Sequence, residues 1–352
     1  MNILITGAAG LLGGALVAAL TQAGHSVIGL VHRDANIRGN DGMSLGATAF
    51  DGSVPQRGTL KTLHGDVRQA GLGLDTATSA WLNRHVNIVI HCAALVKFES
   101  DAAELKAVNV DGTRHVAQLF ASTRLIHVST AYVCGLENGP IPEAASNSEG
   151  AFGNDYEQSK ASAENVLRAM RPDALIVRPS IIVGEAATGM IRSFDTIYRA
   201  FKFIAEGKIV SVPVSPSASL NFVPIDHVVG GICDMVGKLD VAPPFIHLTA
   251  RKAVPAAHFL TLIGKIPGLC SPFTAPAKQN GAAKVGIAER LAQPYWGYFQ
   301  RHPEFETGAL MKLSGRKAPD MDDAALMRQI RYCVAAGFIL ANRKMSMSTP
   351  SM

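Results

Sequence analysis

Two residue types at one spacing suggest chemistry first. Tyr156 and Lys160 lie four apart in Tyr156-Glu157-Gln158-Ser159-Lys160, and on a helix they project from one face. An ammonium beside a phenol stabilises the phenolate and lowers a pKa that otherwise lies near about 10. The pair therefore reads as a proton donor that works near neutral pH. A Tyr four residues before a Lys is common by chance. What adds weight is Ser129-Thr130, placed just after the apolar run Leu125–Val128 and hence at a strand end. A hydroxyl there can hydrogen-bond the same substrate oxygen that the phenol protonates. Tyr156 and Lys160, with a hydroxyl of Ser129 or Thr130, form a candidate catalytic set suited to protonating an oxygen as hydride reaches the adjoining carbon.

Hydride chemistry needs a carrier. Thr6-Gly7-Ala8-Ala9-Gly10-Leu11-Leu12-Gly13 directly follows the run Ile3–Ile5 and opens a helical pattern. Of Gly7, Gly10 and Gly13, one permits the tight turn, one lets backbone approach a pyrophosphate, and one packs helix against strand. Leu11 and Leu12 fall in the first helical turn, whose free N–H groups and positive dipole end favour phosphate. The next strand ends in Val31-His32-Arg33. An NAD site usually carries a carboxylate at that tip. Here no acid appears until Asp34, and Arg33, beside His32, is suited to a 2′-phosphate. NADPH is the expected cofactor, with NADH as the alternative. Asp66-Val67 places an acid where an adenine edge would be met, and Ala93-Ala94 follows a strand with side chains small enough for close approach. Asn109 lies in a helical segment behind the sheet and is included with the cofactor residues.

The elements that must position these groups alternate. Ile3–Ile5, Val27–Val31, Ile88–Ile90, Leu125–Val128 and Ile176–Val177 are short, β-branched and nearly continuous, like strands buried on both faces of a parallel sheet. Between them Leu11–Ala23, Ala102–Ala121 and Tyr156–Met170 have helical spacing. This predicts an α/β fold, a Rossmann-type doubly wound parallel sheet over residues 1–190. After Pro179 the texture becomes irregular, with strand signals only at Ile209–Val212, Phe222–Val223 and Phe245–Leu248. Residues 191–345 are expected to form a smaller substrate lobe, with segments of about 209–248 returning to the sheet. A loop is predicted at Ala275–Ala283, an amphipathic helix at Asp322–Gly337 and a disordered tail at 346–352.

Composition narrows the class. Hydrophobic residues make up 48% and charged residues 17%, which allows a sizeable core. Residues 1–190 hold 14 Lys+Arg against 17 Asp+Glu, whereas 191–352 hold 19 against 11. A basic second half steers anionic partners, and an acidic carrier protein is one. Dense basic runs with interleaved aromatics are absent, so nucleic acid is not expected. The five cysteines are scattered without a C-x-x-C pair, which argues against disulfides and zinc and for a reducing, cytoplasmic setting. His85, His115, His247 and His258 have no metal-ligand spacing, no metal is expected, and His127 receives no role. No stretch reaches the roughly 18 apolar residues of a membrane span.

Taken in order, these motifs resemble the extended short-chain dehydrogenase/reductase family across about residues 1–230. They are the glycine turn, Asp66, His91–Ala94, Asn109–Thr113, Ser129–Gly135, Tyr156/Lys160 and Arg178-Pro179-Ser180. The resemblance implies that Thr130 is the catalytic hydroxyl, that Ser129 lies beside the cofactor, and that Lys160 also holds the nicotinamide ribose. It puts Pro179 and Ser180 near the nicotinamide. Gly71-Leu72-Gly73-Leu74, His91 to Phe98, His127 to Val133, Val183-Gly184 with Thr188-Gly189, and Phe222 to Asp226 look more like the thioester-reductase and fatty-acyl-reductase branch than the sugar epimerases. That branch implies reduction of a lipophilic acyl thioester to aldehyde or alcohol. The helical stretch Arg192 to Lys208, apolar at Phe194, Ile197, Tyr198, Phe201 and Ile204, suits such a substrate or simply packs on the sheet. Without the long C-terminal domain of the eukaryotic members, or an adenylation or carrier domain, the chain is expected to act alone. A ketone or heteroaromatic reductase, a nucleotide-sugar epimerase and a non-catalytic cofactor module are the alternatives.

Overall fold

The β-branched runs of the first half pair side by side. The computed structural model describes residues 1–96, 101–146, 151–275 and 286–341. Its main sheet comprises β1 (Asn2–Thr6), β2 (Ser26–Val31), β3 (Ala47–Ala49), β4 (Leu60–His64), β5 (Ile88–His91), β6 (Arg124–Val128), β7 (Leu175–Pro179) and β8 (Phe245–Leu248). The order is β8-β7-β6-β5-β1-β2-β4-β3, and each pairing is parallel. β1 is the hinge of the arrangement. The chain winds from it to β2 on one side and is met by β5 on the other, which opens a crevice at the carboxyl ends of β1 and β5.

Helices cover both faces. α1 (Leu11–Gln22) buries Leu16, Val17 and Leu20 against β1 and β2, while Val116, Phe120 and Leu167 pack the opposite face. α2 (Asp155–Met170) begins at Asn154, whose side chain accepts from Glu157 N and so satisfies one free donor of the first turn. The helical stretch predicted at Ala102–Ala121 is interrupted. A π-helical turn over Lys106–Asp111 joins Ala102–Leu105 to Gly112–Leu119.

Among the described residues of the second half, only Phe245–Leu248 rejoins the main sheet. Ser211–Pro213 pairs with Phe273–Ala275, and Phe222–Pro224 pairs with Ile181–Val183, both outside it. α3 (Ile197–Ala205) buries Ile197, Tyr198, Phe201 and Ile204 in a separate apolar cluster. α4 (Asp323–Ala335) adds Leu326 and Ile330 to it, and its start is capped by the Asp322 side chain. The predicted loop from 276 onward, the tail at 346–352, Lys97 and Phe98 lie outside the described residues. Among the described residues no helix is long and apolar enough to cross a membrane, and no His/Cys/Asp/Glu group could hold a metal.

A buried ion pair ties β7, β8 and α2 together. Arg178 Nη2 donates to Glu164 Oε2 at 2.6 Å, Nη1 donates to Ala144 O at 2.7 Å, and the guanidinium lies 4.6 Å from the Phe245 ring centroid. Removing one member strands a buried charge. Arg178→Met should lower the unfolding free energy by about 3–5 kcal/mol. Urea denaturation measures it, and a loss below about 1 kcal/mol would show that the interior tolerates the lone carboxylate.

Candidate active site

The site starts where backbone meets backbone. Gly7 has φ +67°, and a Cβ there would lie 2.7 Å from Ala93 Cα. A Cβ on Gly13 would lie 2.2 Å from Gly7 O. Both contacts are impossible for a side chain, so the β1 turn, the start of α1 and the end of β5 interlock only with glycine present. Gly10 precedes α1 without capping its N–H groups by a side chain. Those donors suit a pyrophosphate.

Two cavities of about 350 Å³ each meet at this turn and share Gly7, Gly10, Cys92 and Ala94. The first, which fits the adenosine half of a dinucleotide, is lined by Ala9, His32, Arg33, Asp34, Asp66, Val67, Arg68 and Ala93 among others. Arg33 is exposed at its rim. Asp66 is not open to an adenine edge in the simple way its position suggests. Arg68 holds it, with Nε 3.0 Å from each carboxylate oxygen and Nη2 2.7 Å from Oδ2. That pairing depresses the Asp66 carboxyl to about 2. Arg68 Nη2 also stands 3.3 Å from His32 Nε2. Sequence reasoning stopped at Val67 and missed Arg68, although its place two residues after the acid was a usable signal.

The second cavity is lined by Leu11, Leu12, Gly13, Ser129, Thr130, Tyr156, Pro179 and Ser180, with apolar walls from Ile181, Ile191 and Ile197. Thr130 Oγ1 accepts from Tyr132 N at 3.3 Å and donates to Pro179 O at 3.4 Å. Ser180 Oγ donates to Asn221 Oδ1 at 2.7 Å, and the Asn221 amide also holds Ala250. Ser129 Oγ is buried with no hydrogen-bond partner among the described residues, so it has capacity for a bound group.

Lys160 lies beneath this surface, fully buried. Its Nζ donates to Val128 O at 2.7 Å and stands 3.3 Å from His127 Nε2. Burial lowers the ammonium to about 8, against the opposing effect of the Glu164 carboxylate. His127, left without a role by the sequence, is the acceptor. Burial and the nearby Lys160 keep it well below its ordinary pKa, and hence neutral. Strand alternation puts His127 on one face with Ser129 rather than Thr130. What it could not show is that Lys160 reaches that face.

Two expectations are corrected. Tyr156 does not have a lowered pKa: burial raises it, the Glu157 carboxylate adds to the rise, and the Lys160 ammonium is engaged elsewhere. Tyr156 therefore stays a protonated donor. Asn109, expected at the cofactor, spends its amide inside the protein. Its Oδ1 accepts from Leu95 N at 2.8 Å, and Nδ2 donates to Leu95 O at 3.0 Å and Ser159 Oγ at 2.8 Å. It clamps the wall after β5 to α2. The π-helical turn over Lys106–Asp111 carries it, in the helical segment behind the sheet that the sequence predicts, and the cofactor role is what the resemblance implies.

Arg301 from the second half secures α2 from the other side. It pairs with Glu157, donating from Nη1 to Oε2 at 2.9 Å, and stacks near Tyr132 and Tyr298 at 4.7 and 4.8 Å. Tyr132 and Tyr298 both line the second cavity.

The buried ammonium makes a pH prediction. With a folded pKa of about 8 against 10.5 for the free side chain, the unfolded chain binds more protons between those values. Stability contributed by Lys160 is therefore poorest below pH 8 and rises as pH climbs toward 10.5. The rise is on the order of 3 kcal/mol at most. Denaturant unfolding of the wild type and Lys160→Met, compared point by point in pH, should show the rise only in the wild type. Parallel curves would mean the ammonium is not desolvated.

The geometry agrees with what known proteins show. Residues 5–232 match the family model described as male sterility protein, an NAD-binding domain. Sterol demethylase protein B of Methylococcus capsulatus is 29% identical over 238 residues, covering 60% of this chain and 64% of that protein. Human fatty acyl-CoA reductase 1 is 26% identical over 271 residues, covering 65% and 53%. The chain thus spans less than two thirds of the length of these curated relatives. Among solved structures, the terminal R domain from the myxalamid PKS-NRPS biosynthetic pathway superposes with a TM-score of 0.81 at 22% identity, covering 97% of this chain and 92% of that one. MoeE5 in complex with UDP-glucose and NAD shares the fold more loosely, with a TM-score of 0.66 at 20% identity over 96% and 99% of the two chains. A turn closed by glycine at the head of β1, opening a dinucleotide cleft on a parallel sheet, and a family match over residues 5–232 lead to one assignment: the chain belongs to the male-sterility family of NAD-binding domains.

Proposed function

We propose that this protein is an NADPH-dependent reductase that delivers hydride to the carbonyl carbon of an acyl thioester. The observation that carries the reading is the second cavity. Thr130 and Tyr156 face the same space as the glycine turn and Pro179-Ser180, and the remaining wall joins aliphatic side chains such as Ile181, Ile191 and Ile197 with Tyr132, Tyr198 and Tyr298. The relatives named as fatty acyl-CoA reductases support the substrate class. Glycine-turn backbone, Ser129 and Lys160 would hold the cofactor. Arg33 at the rim of the adenosine cavity, with no carboxylate at the tip of β2, supports NADPH over NADH. The cofactor supplies a hydride when bound.

The chain's own groups manage the oxygen. As hydride adds to carbon, the carbonyl π electrons move to oxygen, where Thr130 donates a hydrogen bond and Tyr156 a proton. The raised phenol pKa keeps that proton available throughout the neutral range. The hemithioacetal then collapses. Its C–S bond breaks, sulfur takes up a proton, the hydroxyl loses one, and aldehyde and free thiol result. A second hydride gives alcohol. The basic balance of residues 191–352 favours approach of an anionic thioester carrier, either coenzyme A or an acidic carrier protein. The aliphatic part of that wall is less suited to the hydroxyls and diphosphate of a nucleotide sugar.

Incubation of the protein with NADPH and a series of acyl-CoAs should show NADPH oxidation matched by thiol release. Oxidation without thiol would move the substrate to ketones or heteroaromatics. No oxidation at any chain length would refute the reading. Tyr156→Phe should lower kcat by roughly 10²–10⁴-fold. NADPH affinity should meanwhile hold within about twofold, because the lost hydroxyl serves the substrate oxygen.

A further inference from the structure

Arg192, from the second half of the chain, reaches the glycine turn beside the cleft. It lies in the segment 190–196 that leads into α3. Its neighbours Ile191, Ser193, Asp195 and Thr196 line the substrate-side cavity. Arg192 itself turns to the glycine turn, where Nη2 donates to Ala9 O at 3.2 Å. Ala9 lines the adenosine-side cavity with His32, Arg33 and Asp34, and does not line the other. The guanidinium thus stands at the adenosine end.

Its surroundings ask for an anion. Arg38, from the loop after β2, is a like-charged neighbour, and the acids nearest in effect are Asp34 and Asp195. Arg192 Nε is buried with no hydrogen-bond partner among the described residues. The placement is built, not incidental. Asn40, on the same loop as Arg33 and Arg38, donates from Nδ2 to Met190 O and Glu185 Oε1, both at 3.0 Å, and its Oδ1 accepts from Arg192 N at 3.3 Å. A phosphate held among guanidinium groups would offset their repulsion and take up the spare N–H.

We propose that Arg192 is a ligand of the 2′-phosphate on the adenosine ribose of NADPH, completing with Arg33 and Arg38 a site to which the second half of the chain contributes. The proposal rests on the NADPH reading above. Its consequence is mechanical: the phosphate pins the 190–196 segment, whose other side chains wall the substrate cavity. Cofactor choice and substrate-wall order are then set by one residue.

The test is direct binding. Wild type, Arg192→Met and Arg192→Lys are titrated by calorimetry with NADPH, NADH and 2′,5′-ADP, and their melting temperatures are measured without ligand. Arg192→Met should weaken NADPH and 2′,5′-ADP by about tenfold or more and NADH by less than about threefold, with Arg192→Lys between. An unchanged NADPH affinity overturns the proposal. Equal weakening of NADPH and NADH also overturns it, since the guanidinium would then serve the pyrophosphate or only hold Ala9. So does a loss of melting temperature in both variants with no change in NADPH-to-NADH ratio, which would leave Arg192 a purely structural part. A wild type that binds NADH as tightly as NADPH, and ignores 2′,5′-ADP, sinks the NADPH reading itself before any variant is made.

Discussion

Everything in the cleft depends on an approach of backbones too close for any side chain. At the carboxyl end of β1 the turn through Gly7 touches Ala93 after β5, and the first turn of α1 at Gly13 touches Gly7. This steric interlock sets where the free N–H groups of α1 point. It also brings the ends of β1 and β5 close enough for both cavities to open from one ridge. The parallel order around β1 supplies the crevice, and the glycines let the chain reach it. A methyl group at either position would separate helix from strand.

Behind that ridge the interior is polar to a degree unusual for a sheet core. Thr6 Oγ1 lies 2.7 Å from His91 Nδ1, and Thr113 Oγ1 lies 3.2 Å from His91 Nε2. Lys160 completes the row through Val128 O and His127. Buried polar atoms are tolerated because nearly every one has a partner. Two of the exceptions among the described residues, Ser129 Oγ and His127 Nδ1, flank the candidate catalytic surface. The same low dielectric lowers the Lys160 ammonium and raises the Tyr156 phenol, so both groups are pushed toward their neutral forms.

The second half does more than cover the sheet. Arg301 braces the start of α2 through Glu157, Asn221 orients Ser180, and Asn40 receives the 190–192 segment. Each contact joins a late residue to an earlier one, and Ser180 among them lines the second cavity. The lining of the second cavity is consequently shared between the sheet ends and the residues after Pro179. Ile181, Ile191 and Ile197 belong both to its wall and to the apolar cluster that α3 closes.

The amino-acid sequence alone determined the features that arise within a few residues. The five β-branched runs became β1, β2 and β5 to β7, since burial on both faces leaves a continuous apolar signature. The glycine spacing, the Tyr156–Lys160 pair and the strand-end Thr130 were legible for the same reason: each is a local pattern with a local geometric meaning. Phe245–Leu248 was also legible as a strand, though not which edge it would join. Tertiary structure decided the rest. Lys160 turned to Val128 and His127 and left Tyr156 to be governed by burial. Asn109, on a π-helical turn, spent its amide on Leu95 and Ser159. Arg68 claimed Asp66, and Arg301 and Arg192 reached partners 144 and 183 residues away. Periodicity reports which face of an element is apolar. Which polar groups meet in the interior depends on how those faces are stacked, and only the folded chain sets that.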